Sequence, residues 1–345
     1  MTDIPRSMQA VQLVGHGGPE MLVWRDDLPV PRPGPGEVLV RVLAAGVNMT
    51  DINTRKGWYG AEGRAAGWGG EMTFPRIQGS DLCGRVVALG DGVTGLPLGA
   101  RVVCPTNQHE PNAENPIHFV SIGSEFDGAF AQYCLVKARH LHDVSASPLT
   151  DIEIGAMPCA YGTAQNLLAR AGVAVGERVL VTGASGGVGL AAVQLALLRG
   201  AEVTAQCSLS KSAPLRAMGA TILPRDGTPA PRAFDVVIDV VGGADWQARL
   251  DALRPGGRYA TSGAVGGPLV KGDLRRIYLN DLTIYGATHQ PREVFAGLVT
   301  LINTARIRPV VAEVYPLRDI ARAQADLEAG RHAGKLVLVP PGGPA

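Results

Sequence analysis

The segment that most constrains the fold runs from Arg178 to Gly200, RVLVTGASGGVGLAAVQLALLRG. Alternating β-forming residues open it, a glycine-rich turn follows, and a nearly continuous apolar run ends at a basic residue and a glycine. This order predicts a buried strand, a tight turn and a buried helix. Such a unit directs backbone N–H groups and the positive end of a helix dipole at a bound anion.

The glycine spacing of this turn departs from the commonest dinucleotide-binding fingerprint. G-x-G-x-x-G would need a glycine where Ala184 stands, and the chain has G-x-x-G-x-x-G instead, which alone could be a plain turn between a strand and a helix. The following sequence favours the nucleotide-binding interpretation, because strand-like and helix-like runs keep alternating. The strands are predicted over Glu202–Cys207, Phe234–Val241, Gly257–Ser262 and Leu282–Thr288, and the helices over Lys211–Met218 and Ala244–Leu253. We therefore predict an α/β fold with a Rossmann doubly wound parallel sheet, whose candidate cofactor-binding residues are Ser185, Gly186, Gly187, Val188, Ser262 and Gly263.

Length and composition exclude several other classes of protein. The 345 residues allow two domains, each with its own core. A net charge of +1 without a basic stripe argues against nucleic acid, and no run of eighteen apolar residues could span a membrane. The N-terminal sequence lacks an apolar signal core, which predicts a cytoplasmic protein. The five scattered cysteines predict neither a disulfide framework nor a four-cysteine zinc site.

The sequence on either side of the nucleotide-binding segment indicates a second domain. Residues 8–42 are short β-like runs separated by proline and glycine, which is typical of a partly open barrel, and Lys335–Val339 is a final strand. We place the barrel domain at residues 1–146 and 290–345 and the nucleotide domain at residues 147–289. Asp151–Arg170 is predicted to be helical with a break at Pro158, and Pro291–Ala305 to be an amphipathic helix. The polar connection Thr106–Gly128, which contains two histidines, is predicted to be functional or mobile.

The order of these segments resembles the medium-chain dehydrogenase/reductase superfamily, and within it the quinone oxidoreductase (zeta-crystallin-like) branch. The segments that carry the resemblance are GEVLVRV, the NxxD of Asn48 and Asp51, GSDLCGRVVALG, GAFAQYCLV, TGASGGVG and HAGKLVLV. The resemblance implies a GroES-like catalytic domain, a six-stranded Rossmann domain, and an active site in the cleft between them. We also expect a homodimer that acts on a small-molecule substrate.

Zinc is the main question that the resemblance raises, because the alcohol dehydrogenase branch of this superfamily depends on zinc. That branch would show a cysteine where this chain has Asn48, a histidine–glutamate pair where it has Ser80 and Asp81, and a third ligand matching Cys159. One thiol with a serine and an asparagine cannot supply the three ligands of a catalytic zinc. We predict no metal. A zinc-type alcohol dehydrogenase with atypical ligands stays an alternative, because Asp51 and Asp81 carry carboxylates that can ligate.

The choice of cofactor is indicated by the end of the second predicted strand of the sheet. NAD-binding chains usually place an acid there to bind the ribose 2′-hydroxyl, but Gln206–Lys211 contains none. Ser208 and Lys211 would instead hold a 2′-phosphate, which predicts NADPH. Alternatively, Ser208 only caps the next helix and Lys211 is solvated. The resemblance also places Lys335 near the cofactor.

Without a metal, the predicted chemistry is hydride donation to an acceptor already activated by conjugation, either a quinone or an α,β-unsaturated carbonyl. The resemblance implies that Asn48 borders the nicotinamide, Tyr59 lines the substrate side and Thr163 sits beside the carboxamide. Asp51 would form an orienting pair with Arg55, although Asn48 and Asp51 could equally form a helix cap.

Two further alternatives stay open at this point. The glycine-rich loop Lys56–Phe74 could be a substrate lid or an exposed loop without function. The whole chain could also be a nucleotide-binding structural or regulatory protein, as the crystallin members of the branch illustrate.

Overall fold

A computed structural model describes residues 4–60, 68, 70 and 72–343. The chain divides into two compact units. Unit 1 comprises Met1–Cys159, Pro291–Arg331 and Lys335–Ala345, and unit 2 comprises Ala160–Gln290 and His332–Gly334. The first crossing therefore lies at Ala160, downstream of the position near residue 146 that the sequence suggested, and the second lies at Gln290.

The N-terminal part of unit 1 is built almost wholly from short strands. They are β1 (Ser7–Leu13), β2 (Leu22–Pro29), β3 (Glu37–Val47), β4 (Arg76–Ile77), β5 (Cys83–Leu89), β6 (Arg101–Val103), β7 (Asn107–His109), β8 (Phe119–Ser121), β9 (Tyr133–Lys137) and β10 (His142–Asp143). Two short helices join them, α1 (Met49–Arg55) and α2 (Asp151–Gly155). The polar connection Thr106–Gly128, which was predicted to be functional or mobile, contains the antiparallel pair β7–β8.

An ion cluster around Glu110 fixes the start of this connection. The carboxylate of Glu110 is bonded by Lys137, Arg139 and the buried His140, and the three partners hold the pKa of Glu110 at about 2 against the effect of burial. His118 completes the turn through a 2.8 Å contact between its Nδ1 and the carbonyl oxygen of Glu110.

Helix α3 (Pro158–Arg170) leads into unit 2, which alternates strands and helices as predicted. Its remaining elements are β11 (Arg178–Val181), α4 (Gly187–Leu198), β12 (Glu202–Cys207), α5 (Ala213–Ala217), β13 (Thr221–Pro224), β14 (Phe234–Asp239), α6 (Trp246–Asp251), β15 (Leu253–Thr261), α7 (Leu274–Tyr278) and β16 (Thr283–Gly286). The strands form one parallel sheet in the order β13-β12-β11-β14-β15-β16. This is the Rossmann doubly wound sheet that the sequence predicted.

Two details of unit 2 differ from the sequence prediction. Strand β13 was not among the predicted strands, because it is a four-residue edge strand that ends in a proline. The helix predicted over Lys211–Met218 is present as the shorter α5, with Pro214 in its first turn, and it follows a single 3-10 turn, Leu209–Lys211.

A buried carboxylate ties the central strands of unit 2 together at their carboxyl ends. Asp239, at the end of β14, is fully buried and accepts hydrogen bonds from Thr182 after β11, Arg249 in α6 and Tyr259 in β15. It also accepts the N–H of Val241 at 2.8 Å. Because each lone pair of this buried group finds a donor, the edge of the sheet beside the glycine turn is held in one arrangement.

The chain then returns to unit 1 through α8 (Arg292–Asn303), β17 (Val311–Pro316), α9 (Ile320–Ala329) and β18 (Lys335–Val339). Strand β18 pairs antiparallel with β3 and parallel with β17. It completes a seven-stranded sheet in the order β10-β6-β5-β3-β18-β17, with β9 paired to β3. This is the GroES-like partly open barrel that the resemblance implied. Within the described ranges, no helix is long and apolar enough to cross a lipid bilayer.

Candidate active site

The glycine turn of unit 2 forms the N-terminus of helix α4. Gly186 is the N-cap residue and has extended backbone angles, and no side chain caps the helix. The first N–H groups of α4, at Gly187, Val188 and Gly189, therefore point out of the helix end without a capping side chain, as an anion site requires. The predicted residue Ser185 lies in the same turn and is buried.

The glycines of this turn serve two different purposes. A Cβ on Gly189 would lie 2.3 Å from the carbonyl oxygen of Gly183, so packing within the turn requires glycine there. Gly183 has φ +56°, a backbone conformation that favours glycine. A Cβ on Gly186 would meet only the same oxygen at 3.5 Å, and its φ of −79° suits any residue. Packing inside the protein does not require glycine at Gly186, and in dinucleotide-binding turns a glycine at such a position lets the pyrophosphate approach the backbone.

Two more predicted cofactor residues lie at the end of β15. The Oγ of Ser262 is buried and has no hydrogen-bond partner among the residues that the structure describes. A Cβ on Gly263 would lie 2.7 Å from the carbonyl oxygen of Val240. A buried hydroxyl without a partner at the carboxyl edge of a doubly wound sheet is suited to form a hydrogen bond with a bound dinucleotide.

The predicted ribose-binding residues follow β12. Ser208 and Lys211 flank the 3-10 turn, where the Lys211 N–H donates to the Ser208 carbonyl oxygen at 2.9 Å. The Ser208 side chain makes no capping hydrogen bond. Partial burial and the neighbouring Arg225 lower the pKa of Lys211. Thr163, the other predicted residue of unit 2, is half-buried on α3.

In unit 1, Asn48 and Asp51 form the helix cap that the sequence left as one of two interpretations. Asn48 is the N-cap of α1 and Asp51 is its third residue, and the Asn48 N–H donates to Asp51 Oδ2 at 2.8 Å in a capping box. Asp51 Oδ1 accepts the Ser80 N–H at 3.2 Å, which ties the cap to a second segment. Both side chains are buried.

A buried ammonium joins the same group of side chains. Lys335, at the start of β18, is 5% exposed, and its Nζ bonds the carbonyl oxygen of Val47 at 3.0 Å, Asp81 Oδ2 at 3.1 Å and Asn48 Oδ1. An ammonium has three hydrogens to donate, and all three have acceptors here. Lys335, which was predicted to lie near the cofactor, belongs to a polar centre of unit 1 that it forms with Asn48, Asp51, Ser80 and Asp81.

Asp81 accepts hydrogen bonds from several donors of the polar centre. It is fully buried, and besides Lys335 it accepts Asn48 Nδ2 at 2.8 Å and the Cys159 N–H at 2.5 Å. A Cβ on Gly46 would lie 2.3 Å from Asp81 Oδ2, so a glycine in β3 allows the carboxylate to reach the strand. Asn48 Nδ2 also bonds Ser80 Oγ at 3.0 Å.

These residues do not fit a zinc ion. The described residues contain no group of three or more histidine, cysteine, aspartate or glutamate side chains that could hold a metal. At the three ligand positions stand an asparagine, a serine and the thiol of Cys159, whereas a catalytic zinc takes three protein ligands from cysteine, histidine, aspartate or glutamate. A charged ammonium already neutralises Asp81.

An aromatic group lies beside the polar centre. Tyr59 Oη donates to Thr50 Oγ1 at 3.2 Å, and its ring is nearly parallel to that of Trp68, with centroids 6.1 Å apart. Trp68 in turn meets Phe119 of β8 edge to face at 6.5 Å. Burial raises the pKa of the Tyr59 phenol. Residues 61–67, 69 and 71 of the predicted lid Lys56–Phe74 lie outside the described residues.

Three contributors to these sites escaped the sequence analysis. The pairing of Asp81 with Lys335 joins residues 254 positions apart, which no local pattern reveals. Trp68 meets Phe119 of β8, which lies about fifty residues further along the chain, so no local pattern joins them. Arg225 follows a strand that the sequence analysis did not predict, although a cation directly after an apolar run was a usable signal.

Burial gives Asp51 a pH dependence that stability measurements can detect. Loss of solvent raises the pKa of Asp51 from 3.8 to about 7, although its hydrogen bonds act the other way. The folded state then binds a proton that the unfolded state has released, so this stabilisation is complete below about pH 4 and is lost as the pH rises through about 7.

We predict that the unfolding free energy of the wild type falls by ~2 kcal/mol relative to Asp51→Asn between about pH 5 and about pH 8. Urea unfolding at both pH values measures the difference. Asp273→Asn is the control, because that carboxylate is exposed and its pKa is already lowered by Arg275. A difference between wild type and Asp51→Asn that stays constant with pH would contradict the assignment.

Comparison with known proteins agrees with both units. Residues 34–146 match the family described as alcohol dehydrogenase GroES-like domain, and residues 221–338 match the zinc-binding dehydrogenase family. The chain is 31% identical to an acryloyl-coenzyme A reductase of Metallosphaera sedula, covering 96% of this chain and 99% of that protein. It is 27% identical to a quinone oxidoreductase of Rattus norvegicus, covering 96% and 98%.

A solved structure gives the same result at higher identity. A putative alcohol dehydrogenase from Sinorhizobium meliloti has 42% identity and a TM-score of 0.92, covering 99% of this chain and 98% of that one. A thermostable alcohol dehydrogenase from Pyrobaculum aerophilum has 34% identity and a TM-score of 0.85, covering 97% and 100%. The protein is thus an oxidoreductase of a family that binds nicotinamide cofactors, and the chain belongs to the medium-chain dehydrogenase/reductase superfamily.

Proposed function

We propose that the protein is a zinc-independent, NADPH-dependent reductase of quinones or α,β-unsaturated carbonyls. The observation that carries this proposal is the Lys335 ammonium, bonded to three acceptors in the polar centre of unit 1. Its side chain occupies the centre, and the described residues offer no group of three histidine, cysteine, aspartate or glutamate side chains that could hold zinc. An acceptor that is already polarised by conjugation needs no metal to accept a hydride.

The proposal of NADPH is supported by the residues after β12. The run Gln206–Lys211 contains no acid that would bind a ribose 2′-hydroxyl. Ser208 can donate a hydrogen bond and Lys211 supplies a positive charge, which together suit a 2′-phosphate. When bound, the cofactor supplies the hydride. The glycine turn and Ser262 hold it, and Thr163 is the proposed contact to its carboxamide.

Two side chains of unit 1 are proposed to act in the reaction, Tyr59 as the proton donor and Asn48 as the residue that positions the nicotinamide. Hydride addition to the β-carbon moves an electron pair onto the carbonyl oxygen, and the resulting enolate then takes a proton at carbon or oxygen. Because burial raises the pKa of Tyr59, its phenol stays protonated at neutral pH and can donate to that oxygen. Asn48 is held by Lys335 and Asp81 and is proposed to position the nicotinamide from the barrel side.

The names of the relatives are consistent with this acceptor class. One relative is called an acryloyl-coenzyme A reductase, and an acryloyl thioester is an α,β-unsaturated carbonyl compound. Others are called quinone oxidoreductases. The second candidate function is a zinc-type alcohol dehydrogenase with atypical ligands. A cobalt- and zinc-bound alcohol dehydrogenase of Pyrobaculum aerophilum, 33% identical with a TM-score of 0.83, favours it.

The test of function compares an enone with a quinone. We predict that the wild type oxidises NADPH with both, and that Tyr59→Phe slows the enone reaction by about 100-fold, the usual contribution of a positioned acid. The quinone reaction should slow much less, because its product can take protons from water.

Tyr133→Phe is the matched control, since Tyr133 lies in β9 and no role is proposed for it. The measurement is the steady-state rate of NADPH oxidation with each acceptor. Equal slowing with both acceptors would show that Tyr59 only packs against its neighbours and does not donate the proton. Turnover of a saturated alcohol in place of either acceptor would favour the alcohol dehydrogenase.

We also propose that the protein is a homodimer that associates through the edge of the unit 2 sheet. Strand β16 is the last strand of that sheet, so one side of its backbone lacks a neighbouring strand within the described residues. Exposed apolar side chains lie on β16 and in the sequence that leads to it, namely Leu269, Leu274, Tyr278, Leu279 and Ile284. A second copy related by a two-fold axis would pair β16 with itself and cover this patch.

The association predicts that a charge on the edge strand yields a monomer. Ile284→Lys should halve the mass found by sedimentation equilibrium, because a lysine at this edge blocks strand pairing. Val175→Lys is the matched control, since Val175 is an exposed apolar residue of unit 2 that lies outside the strands. An unchanged mass in the Ile284 variant, or a monomeric wild type, would contradict the proposal.

A further inference from the structure

Three aromatic side chains of unit 1 form a row of half-buried rings. Tyr59 and Trp68 are nearly parallel, with 10° between their planes and 6.1 Å between their centroids. Phe119 of β8 meets the Trp68 ring edge to face at 6.5 Å. Each of the three side chains keeps an intermediate exposure, so part of this apolar surface stays open among the described residues. An aromatic ring that stacks on this surface would gain contacts that a short aliphatic chain does not make.

The sequence around Trp68 does little to hold its indole in place. Trp68 lies in the run GWGG, and glycine restricts the backbone less than any other residue. Contacts from outside this run must therefore hold the indole against Tyr59.

Those contacts come from the residues that follow β8. Ser124 Oγ accepts the Trp68 N–H at 2.9 Å and donates to Glu125 Oε1 at 2.9 Å. The same carboxylate oxygen accepts the Gly70 N–H at 3.2 Å, and Glu125 Oε2 accepts the Ser121 N–H at 2.6 Å. Both serines are buried. Glu125 thus joins the backbone next to Trp68 to the end of the strand that carries Phe119.

We infer that Trp68 is a specificity-determining residue that gives the protein a preference for conjugated acceptors with an aromatic ring, and that Glu125 is the residue that positions Trp68. The inference rests on the proposed role of Tyr59 as the proton donor. An acceptor whose oxygen bonds the Tyr59 hydroxyl lies beside the indole, because the two protein rings are neighbours. An aromatic ring on that acceptor can stack on Trp68, whereas a methyl group leaves most of the indole uncovered.

The test compares acceptors that differ in one ring. Benzylideneacetone and ethylideneacetone are the same conjugated ketone with a phenyl or a methyl group on the β-carbon. Naphthoquinone and benzoquinone form a second pair, which differs by a fused aromatic ring. The measurement is kcat/KM for NADPH oxidation with each acceptor. Differences in intrinsic reactivity cancel when the ratio within a pair is compared between variants.

Trp68→Leu should lower this ratio by about 2- to 10-fold, as expected for the loss of an aromatic pair, mainly through a higher KM for the acceptor with the larger ring system. Trp68→Phe should keep most of the preference, because it still offers an aromatic face. Trp58→Leu is the matched control and should leave the ratio unchanged, since Trp58 is a 51% exposed tryptophan of the turn after α1.

The positioning role of Glu125 needs a separate comparison. Glu125→Ala should lower the ratio in the wild-type background and leave it unchanged in the Trp68→Leu background, because Glu125 acts through the indole. Glu125→Gln should lose less, since its amide oxygen can still accept hydrogen bonds from Gly70 and Ser124. An equal loss with Glu125→Ala in both backgrounds would overturn this role.

Two other outcomes separate this inference from the proposed function. A wild type that reduces both members of either pair, with a ratio that Trp68→Leu leaves unchanged, would overturn the inference and leave the proposed function standing. A wild type that reduces none of the four acceptors would overturn both.

Discussion

The pair of Lys335 and Asp81 is the interaction on which the proposed active site depends. Burying two charges costs free energy that their attraction offsets only when the remaining hydrogen bonds are made. Here each remaining bond is made, to Asn48, the Val47 carbonyl oxygen and the Cys159 N–H. Removal of either charge would leave the other buried and unpaired, which typically costs about 3–5 kcal/mol. The pair therefore holds Asn48 in place. The positive charge of the centre is the Lys335 ammonium and not a metal ion.

In unit 2 a buried carboxylate is likewise fully hydrogen-bonded, but the site beside it is proposed to bind an anion. The carboxyl edge of the unit 2 sheet is proposed to receive the negative charge of a dinucleotide, and the unit's own buried acid, Asp239, is bonded by Arg249, Thr182 and Tyr259. The N–H groups at the start of α4, which no side chain caps, are then available to a ligand. The bonds of Asp239 therefore hold the strand ends in place, next to the helix N-terminus that is proposed to bind the ligand.

Local patterns predicted most of the fold, and long-range pairing accounts for what they missed. Periodicity and glycine spacing are local signals, so Arg178–Gly200 was predicted as a strand, turn and helix, and Asn48 with Asp51 as a possible cap. The four-residue edge strand β13 carries too weak a signal. The Lys335–Asp81 pair joins residues 254 positions apart, so no local pattern could predict it. The ion cluster of Glu110 likewise organises a connection that composition alone marked as irregular.

Transfer of deuterium in metal-depleted protein is the most direct test of zinc-independent hydride transfer. Protein dialysed against a strong chelator, with its metal content measured, would receive NADPH deuterated at C4 together with an enone. The account predicts that the reduced product carries the deuterium at the β-carbon and that the rate matches that of untreated protein. A stoichiometric zinc whose removal abolishes the transfer would contradict the account and favour the alcohol dehydrogenase.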